Sequence, residues 1–185
     1  MVITFSAINP GTVPGIQIMK IKSFTPVALT LSLLFSPFAT AQKVDCIVEA
    51  AQCFQINPLL IKAIIWQESR NCQQAMNRNT NSTVDVGIMQ INTVHFKALK
   101  SLGLDEALLR ENSCANVFSG AWVLKQSIER YGYTWDGIGN YHSKTPVHHD
   151  RYVKKIISLI AHQTAVIDKI EVARQEGIRE HFVCR

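Results

Sequence analysis

Asn57-Pro58-Leu59-Leu60-Ile61-Lys62-Ala63-Ile64-Ile65-Trp66-Gln67-Glu68-Ser69-Arg70 is the stretch from which the fold can be read. Asparagine caps a helix with its side-chain oxygen, and proline at the first helical position has its φ already set. The run from Leu59 to Trp66 is apolar almost all round, which predicts a buried central helix extending to about Arg70. Helical patterns flank it. Residues 44–54 predict a short helix with Asp45 near its start, where an acid suits the macrodipole. Residues 73–86 are polar, crowded with Asn77, Asn79, Thr80, Asn81, Ser82 and Thr83, and predict a loop or a small irregular sheet. Helices resume over 93–102 and 105–111, then over 114–131 with Gly132 at the C-terminal cap. Thr134 can cap a short helix to Tyr141. Tyr152, Val153, Ile156, Ile157 and Ile160 mark a last helix over 149–172. Residues 173–185 read as a charged, peripheral tail.

The 185 residues are 47% apolar and 18% charged, a globular composition that excludes disorder. No internal repeat is visible, so solenoids are excluded as well. The net charge is +5, too small and too scattered to predict nucleic-acid binding.

The N-terminus reads as an export signal. Residues 23–42 carry no charge; they come after Met19-Lys20-Ile21-Lys22, enclose an apolar run over 27–35, and end with Ala39-Thr40-Ala41 before Gln42. A basic start, a short apolar centre and an A-x-A end describe a cleavable signal peptide over 19–41. The centre is too short for a membrane span, which takes about 20 apolar residues. Met19 is then the expected start, and residues 1–18 an upstream extension. Losing Lys20 and Lys22, and no acid, lowers the net charge of +5 by two.

All five cysteines (Cys46, Cys53, Cys72, Cys114 and Cys184) lie in the exported part. An oxidising compartment favours disulfides over zinc, and no C-x-x-C or H-x-x-x-H spacing occurs. Cys72 falls roughly 20 Å along the chain's helices from Cys53, beyond bridging reach, and Cys46 is better placed. Two bridges leave an odd thiol that the spacing does not assign.

Glu68 stands near the end of the most apolar helix. Ile65 and Ile64 precede it by one turn, Asn71 and Cys72 come one turn later, and no base occupies an i±3 or i±4 position. Apolar surroundings and the negative helix end both favour the protonated acid, as protonation of a leaving group requires. The competing reading has the helix simply reaching water there, beside Gln67 and Arg70.

Trp66-Gln67-Glu68-Ser69-Arg70 and, further on, Gly87-Ile88-Met89-Gln90-Ile91-Asn92 together resemble the lytic transglycosylase family, goose-lysozyme-like enzymes that cleave peptidoglycan. Their signature is E-S and then G-[LI]-M-Q. The resemblance spans about residues 45–160 and is greatest to the small members that accompany secretion, conjugation and pilus assemblies. It implies a lysozyme-like single domain over 42–172, all-α or α with a minimal irregular β element. It implies Glu68 as catalytic acid/base, with Ser69, Gly87, Gln90, Asn92, Tyr141, His142 and Tyr152 on the glycan side. It implies no metal or cofactor, a periplasmic monomer without a membrane span after signal cleavage, and an envelope complex as partner. It also implies a Cys46–Cys114 bridge. Gly139-Asn140-Tyr141-His142-Ser143 departs from the family's A-Y-N-A-G, and His142 is expected to stand in for the asparagine.

Simpler readings go to the remaining polar residues. Asp85 is expected to be a turn or capping acid rather than a lysozyme's second carboxylate. His142, His148, His149 and Asp150 are expected to be a solvated helix start, not a metal site. Cys72 is expected to be half of a disulfide rather than a nucleophile. Trp122 and Trp135 are expected in the packing. A hydrolytic lysozyme and a catalytically idle glycan-binding scaffold are the rival functions.

Overall fold

Helix α1 (Cys46–Phe54) starts where the Asp45 carboxylate accepts the Ile47 amide, and α2 (Pro58–Ser69) where Asn57 accepts that of Leu59. The computed structural model describes residues 45–184, so the expected extension (1–18) and signal peptide (19–41) lie outside the described residues. After α2 come three short strands, β1 (Met76–Arg78), β2 (Val84–Val86) and β3 (Ile91–Asn92), in one antiparallel sheet of order β1-β2-β3. Its register sets Asn77 opposite Asp85 and Asp85 opposite Asn92. A 3-10 turn (Thr93–His95) leads into α3 (Phe96–Ser101), then α4 (Glu106–Glu111), α5 (Ser113–Tyr131), α6 (Trp135–His142), α7 (Pro146–His162) and α8 (Thr164–Ile167). The chain is therefore helical with a minimal β element, as expected.

The most enclosed element is α5 rather than α2. It packs against α1, α4 and α6, while α7 closes over α6 and α2. Helix α2 buries only one face, Leu60, Ile61, Ala63, Ile64 and Ile65, each isoleucine stabilising the fold by about 2 kcal/mol. Small residues on α5 explain its position. A Cβ on Gly120 would stand 2.5 Å from Met89 Sδ, so the glycine admits a methionine that is fully buried.

Two expectations about the C-terminal third change. The last long helix begins at Pro146, whose ring suits a first turn, and breaks at Gln163 before the short α8. The tail is not peripheral. The Cys46 amide donates to Val172 O at 2.9 Å, Ile178 and Phe182 are buried, and Phe182 stacks on Phe118 with ring centroids 5.5 Å apart. Cys184 is bridged to Cys53, and Cys46 to Cys114. The odd thiol is Cys72, which is free and exposed rather than half of a bridge.

His149 is also not solvated. Its side chain is 14% exposed and meets Asp150 Oδ1 at 2.8 Å and Asp136 O at 3.1 Å, joining α6 to α7. Trp135, in contrast, is 44% exposed instead of packed.

One buried amide fixes the turn between β2 and β3. Asn116, on α5 and wholly buried, donates from Nδ2 to Val86 O (3.0 Å) and Leu109 O (2.9 Å) and accepts the Met89 amide at Oδ1 (2.9 Å). Gly87 runs beneath it at φ +78°, where a Cβ would fall 2.0 Å from Asn116 Nδ2. Asn116→Ala strands a buried amide and two carbonyls, and is predicted to cost about 3 kcal/mol in urea unfolding. A loss below about 1 kcal/mol would contradict the clamp.

Candidate active site

The turn held by Asn116 supplies carbonyls to two other elements. Ser69 Oγ, at the end of α2, donates to Ile88 O at 2.8 Å, and Tyr141 Oη, on α6, donates to Met89 O at 2.8 Å. Gln90 sits at φ +49° and folds its side chain back, donating from Nε2 to Gly87 O (2.8 Å) and Ala75 O (3.1 Å). The end of α2, the turn and the end of α6 are thus drawn together around an open cleft of about 1030 Å³.

Glu68 points into that cleft from the last turn of α2, before Arg70 and Asn71 take positive φ and end the helix. Its side chain is 13% exposed, and Oε1 is buried without a hydrogen-bond partner. Burial raises its pKa to about 7, with the charge of Asp85 adding to the effect; the Tyr152 hydroxyl and Lys155 pull the other way. Tyr152, 3% exposed, lies behind the carboxyl, its own hydroxyl close but without a bond of good geometry. His142 Nδ1 stands 4.0 Å from Glu68 Oε1, and the imidazole lies flat on the Tyr152 ring, centroids 4.5 Å apart and planes 3° apart. Burial lowers the His142 pKa, nearby His148 adding to this, so its neutral form is favoured beside the acid. Burial likewise raises both tyrosines well above their ordinary values, so both hydroxyls keep their protons.

The residues implied for glycan binding divide into two groups. Gln90, Asn92, Tyr141 and His142 line the cleft with Glu68. Ser69, Gly87 and Tyr152 do not: Ser69 ties α2 to the turn, Gly87 makes room for Asn116, and Tyr152 backs the acid. They shape the site from beneath.

Two contributors lie outside the sequence-based expectations. Asn116 carries a usable signal, a lone amide inside the apolar run Cys114-Ala115-Asn116-Val117-Phe118, because a buried amide must find partners. Asp85 is neither turn nor cap. It is a β2 residue on the cleft wall, its carboxylate accepting from Asn79 Nδ2 (2.9 Å) and Asn92 Nδ2 (2.6 Å). Asn92 also caps the 3-10 turn through the Val94 amide. The cleft therefore holds two carboxyl groups in unlike settings, one in apolar surroundings and one in a ring of amides. Among the described residues no three His, Cys, Asp or Glu side chains are grouped to hold a metal ion.

The chain is similar in sequence to known proteins. The chain is 39% identical over 116 residues to the Invasion protein IagB of Salmonella typhimurium, covering 60% of this chain and 72% of the relative. It is 36% identical over 103 residues to Protein IpgF of Shigella flexneri (56% and 68%). It is 34% identical over 148 residues to a Peptidoglycan-binding-like protein of Escherichia coli O157:H7 (74% and 87%). The transglycosylase SLT domain matches residues 45–155, a span that contains Glu68, the clamped turn and Tyr141. The chain belongs to the transglycosylase SLT domain family.

Proposed function

We propose that this protein is a peptidoglycan lytic transglycosylase that cleaves the β-1,4 link between N-acetylmuramic acid and N-acetylglucosamine and leaves a 1,6-anhydro end. The observation that carries the reading is Glu68, an acid whose burial lets it keep its proton near neutrality at the wall of an open cleft. Most glycosidases divide acid and nucleophile or base between two carboxyl groups. Here Glu68 serves twice. It gives its proton to the glycosidic oxygen as the C1–O bond breaks, and the substrate's own acetamido carbonyl steadies the cationic C1. The Glu68 carboxylate then takes the proton of the sugar's C6 hydroxyl as O6 bonds to C1, which restores the acid. Tethering gives the C6 hydroxyl the high effective concentration with which it outcompetes water.

The setting rests on the expected signal peptide. Exported to the periplasm as a monomer, the protein opens the wall locally for a secretion, conjugation or pilus apparatus. The names of two relatives, an invasion protein and a peptidoglycan-binding-like protein, support that reading. Among the described residues no helix is long and apolar enough to cross a membrane.

Asp85 favours a second reading. A carboxylate lining the same cleft from its β-sheet wall, held by Asn79 and Asn92, is the group that a hydrolytic lysozyme needs in addition to its acid. Mass spectrometry of muropeptides released from purified sacculi separates the two. Transglycosylation predicts anhydro ends, and hydrolysis predicts reducing ends. Glu68→Gln is predicted to lose at least about 1000-fold in release, as removal of a general acid does, while still sedimenting with sacculi. Full release by that variant would contradict Glu68 as the acid, and no release by wild type would leave only a glycan-binding scaffold.

The buried acid also makes folding depend on pH. Glu68 is neutral in both states below its ordinary pKa of 4.5, so its burial costs little there. Between 4.5 and about 7 the unfolded chain ionises while the folded one does not, and stability falls as pH rises through about 7. The whole effect is roughly 3 kcal/mol. Glu68→Gln stays neutral, so its stability relative to wild type is predicted to be higher by that amount at pH 8.5 than at pH 4. Equal differences in urea melts at the two pH values would contradict a buried, protonated Glu68.

A further inference from the structure

Glu68 alternates between acid and carboxylate in the proposed cycle, yet Oε1 has no hydrogen-bond partner in the resting site. The group facing that oxygen is the His142 imidazole. We infer that His142 is a positioning residue that donates a hydrogen bond from Nδ1–H to Glu68 Oε1 once the acid has given up its proton, and so sets how readily Glu68 ionises. This role deepens the transglycosylase reading and rests on it for the timing, but the contact itself does not depend on the reaction.

Three observations carry it. The His142 Nδ1 to Glu68 Oε1 separation is 4.0 Å, one short step from a bond, and such contacts tighten when substrate fills an apo site. The ring lies parallel on Tyr152, which is itself buried, so one face of the imidazole is packed while its side chain stays 44% exposed. The site also favours the neutral imidazole, which carries a donor without adding a charge that would strip the proton from Glu68 before reaction. Other groups bear on the pair from each packed element: Asp85 from β2, Tyr141 from α6, and His148, Tyr152 and Lys155 from α7. Among them only the hydroxyl of Tyr152 lies close enough to donate toward the carboxyl, and it misses good geometry.

The proton account stays closed. The leaving oxygen takes the Glu68 proton, the C6 hydroxyl returns one, and His142 keeps its own throughout.

The test titrates Glu68 directly, by 13C NMR of the full chain labelled at the glutamate carboxyl carbon and assigned with Glu68→Gln. His142→Phe keeps a flat ring on Tyr152 and keeps water out, but has no N–H. The Glu68 pKa is predicted to rise by about one unit in that variant, the scale of a lost bond to a charged group. His142→Gln, which restores an amide N–H at similar reach, is predicted to bring back part of the shift. Should the Phe variant not fold, His142→Leu reads the same change. A Glu68 titration unmoved by Phe or Leu overturns the inference, and so does a Gln variant that behaves like Phe. Muropeptide release measured on the same samples separates the two claims. Wild type that releases nothing, with the shift present, overturns the proposed reaction alone. An unmoved titration in an active enzyme overturns the role of His142 alone.

Discussion

A single amide at the centre of the molecule bonds to three backbone groups from two segments of chain. Asn116 has no water to fall back on, so each of its bonds replaces one lost on burial, and an unmade bond would carry the full desolvation cost. The consequences spread outward from the turn it holds. Gly87 has to be glycine because Asn116 fills the space of its side chain. With the turn fixed, the Ile88 and Met89 carbonyls become fixed acceptors for Ser69 and Tyr141, and these two bonds bring the ends of α2 and α6 to the same cleft. The position of Glu68 is therefore set by a residue that never touches it.

The cleft keeps polarity and desolvation apart. Its β-sheet wall is a network of amides and hydroxyls, in which Asp85, Asn79, Asn92 and Thr83 satisfy one another. Its helical wall leaves Glu68 Oε1 and the Tyr152 hydroxyl buried and unpaired. Such groups cost stability, and a fold that keeps them at a cleft is storing a perturbed acid where chemistry can use it. The polar wall suits a ligand rich in hydroxyls and acetamido groups, and the helical wall suits a proton donor.

Much of this is legible in the chain, for identifiable reasons. Helix α2 announces itself because the Asn57-Pro58 start and an apolar run interrupted only by Lys62 agree at every level. The sheet stays ambiguous because its strands are two or three residues long, too short for alternation to register. The tail reads as peripheral, wrongly, because Ile178, Phe182 and Cys184 are spaced among charges without a helical or strand period. What holds them is tertiary, a disulfide to Cys53 and a stack on Phe118. Helix α7 ends at Gln163 with neither glycine nor proline to mark it. The motif residues locate the neighbourhood of the site but not their division of labour. Whether a side chain lines a cleft or props it from behind depends on long-range contacts, as Ser69 and Tyr152 illustrate.

Everything proposed for the cleft turns on Glu68 entering the reaction as an acid. The initial rate of muropeptide release from sacculi, measured from pH 4 to pH 9 on folded protein, tests this most directly. The rate is predicted to fall as pH rises through about 7, where Glu68 loses its proton. A rate that instead climbs through pH 7 to a plateau in alkali would show that Glu68 works as an ordinary ionised carboxylate, and would contradict it.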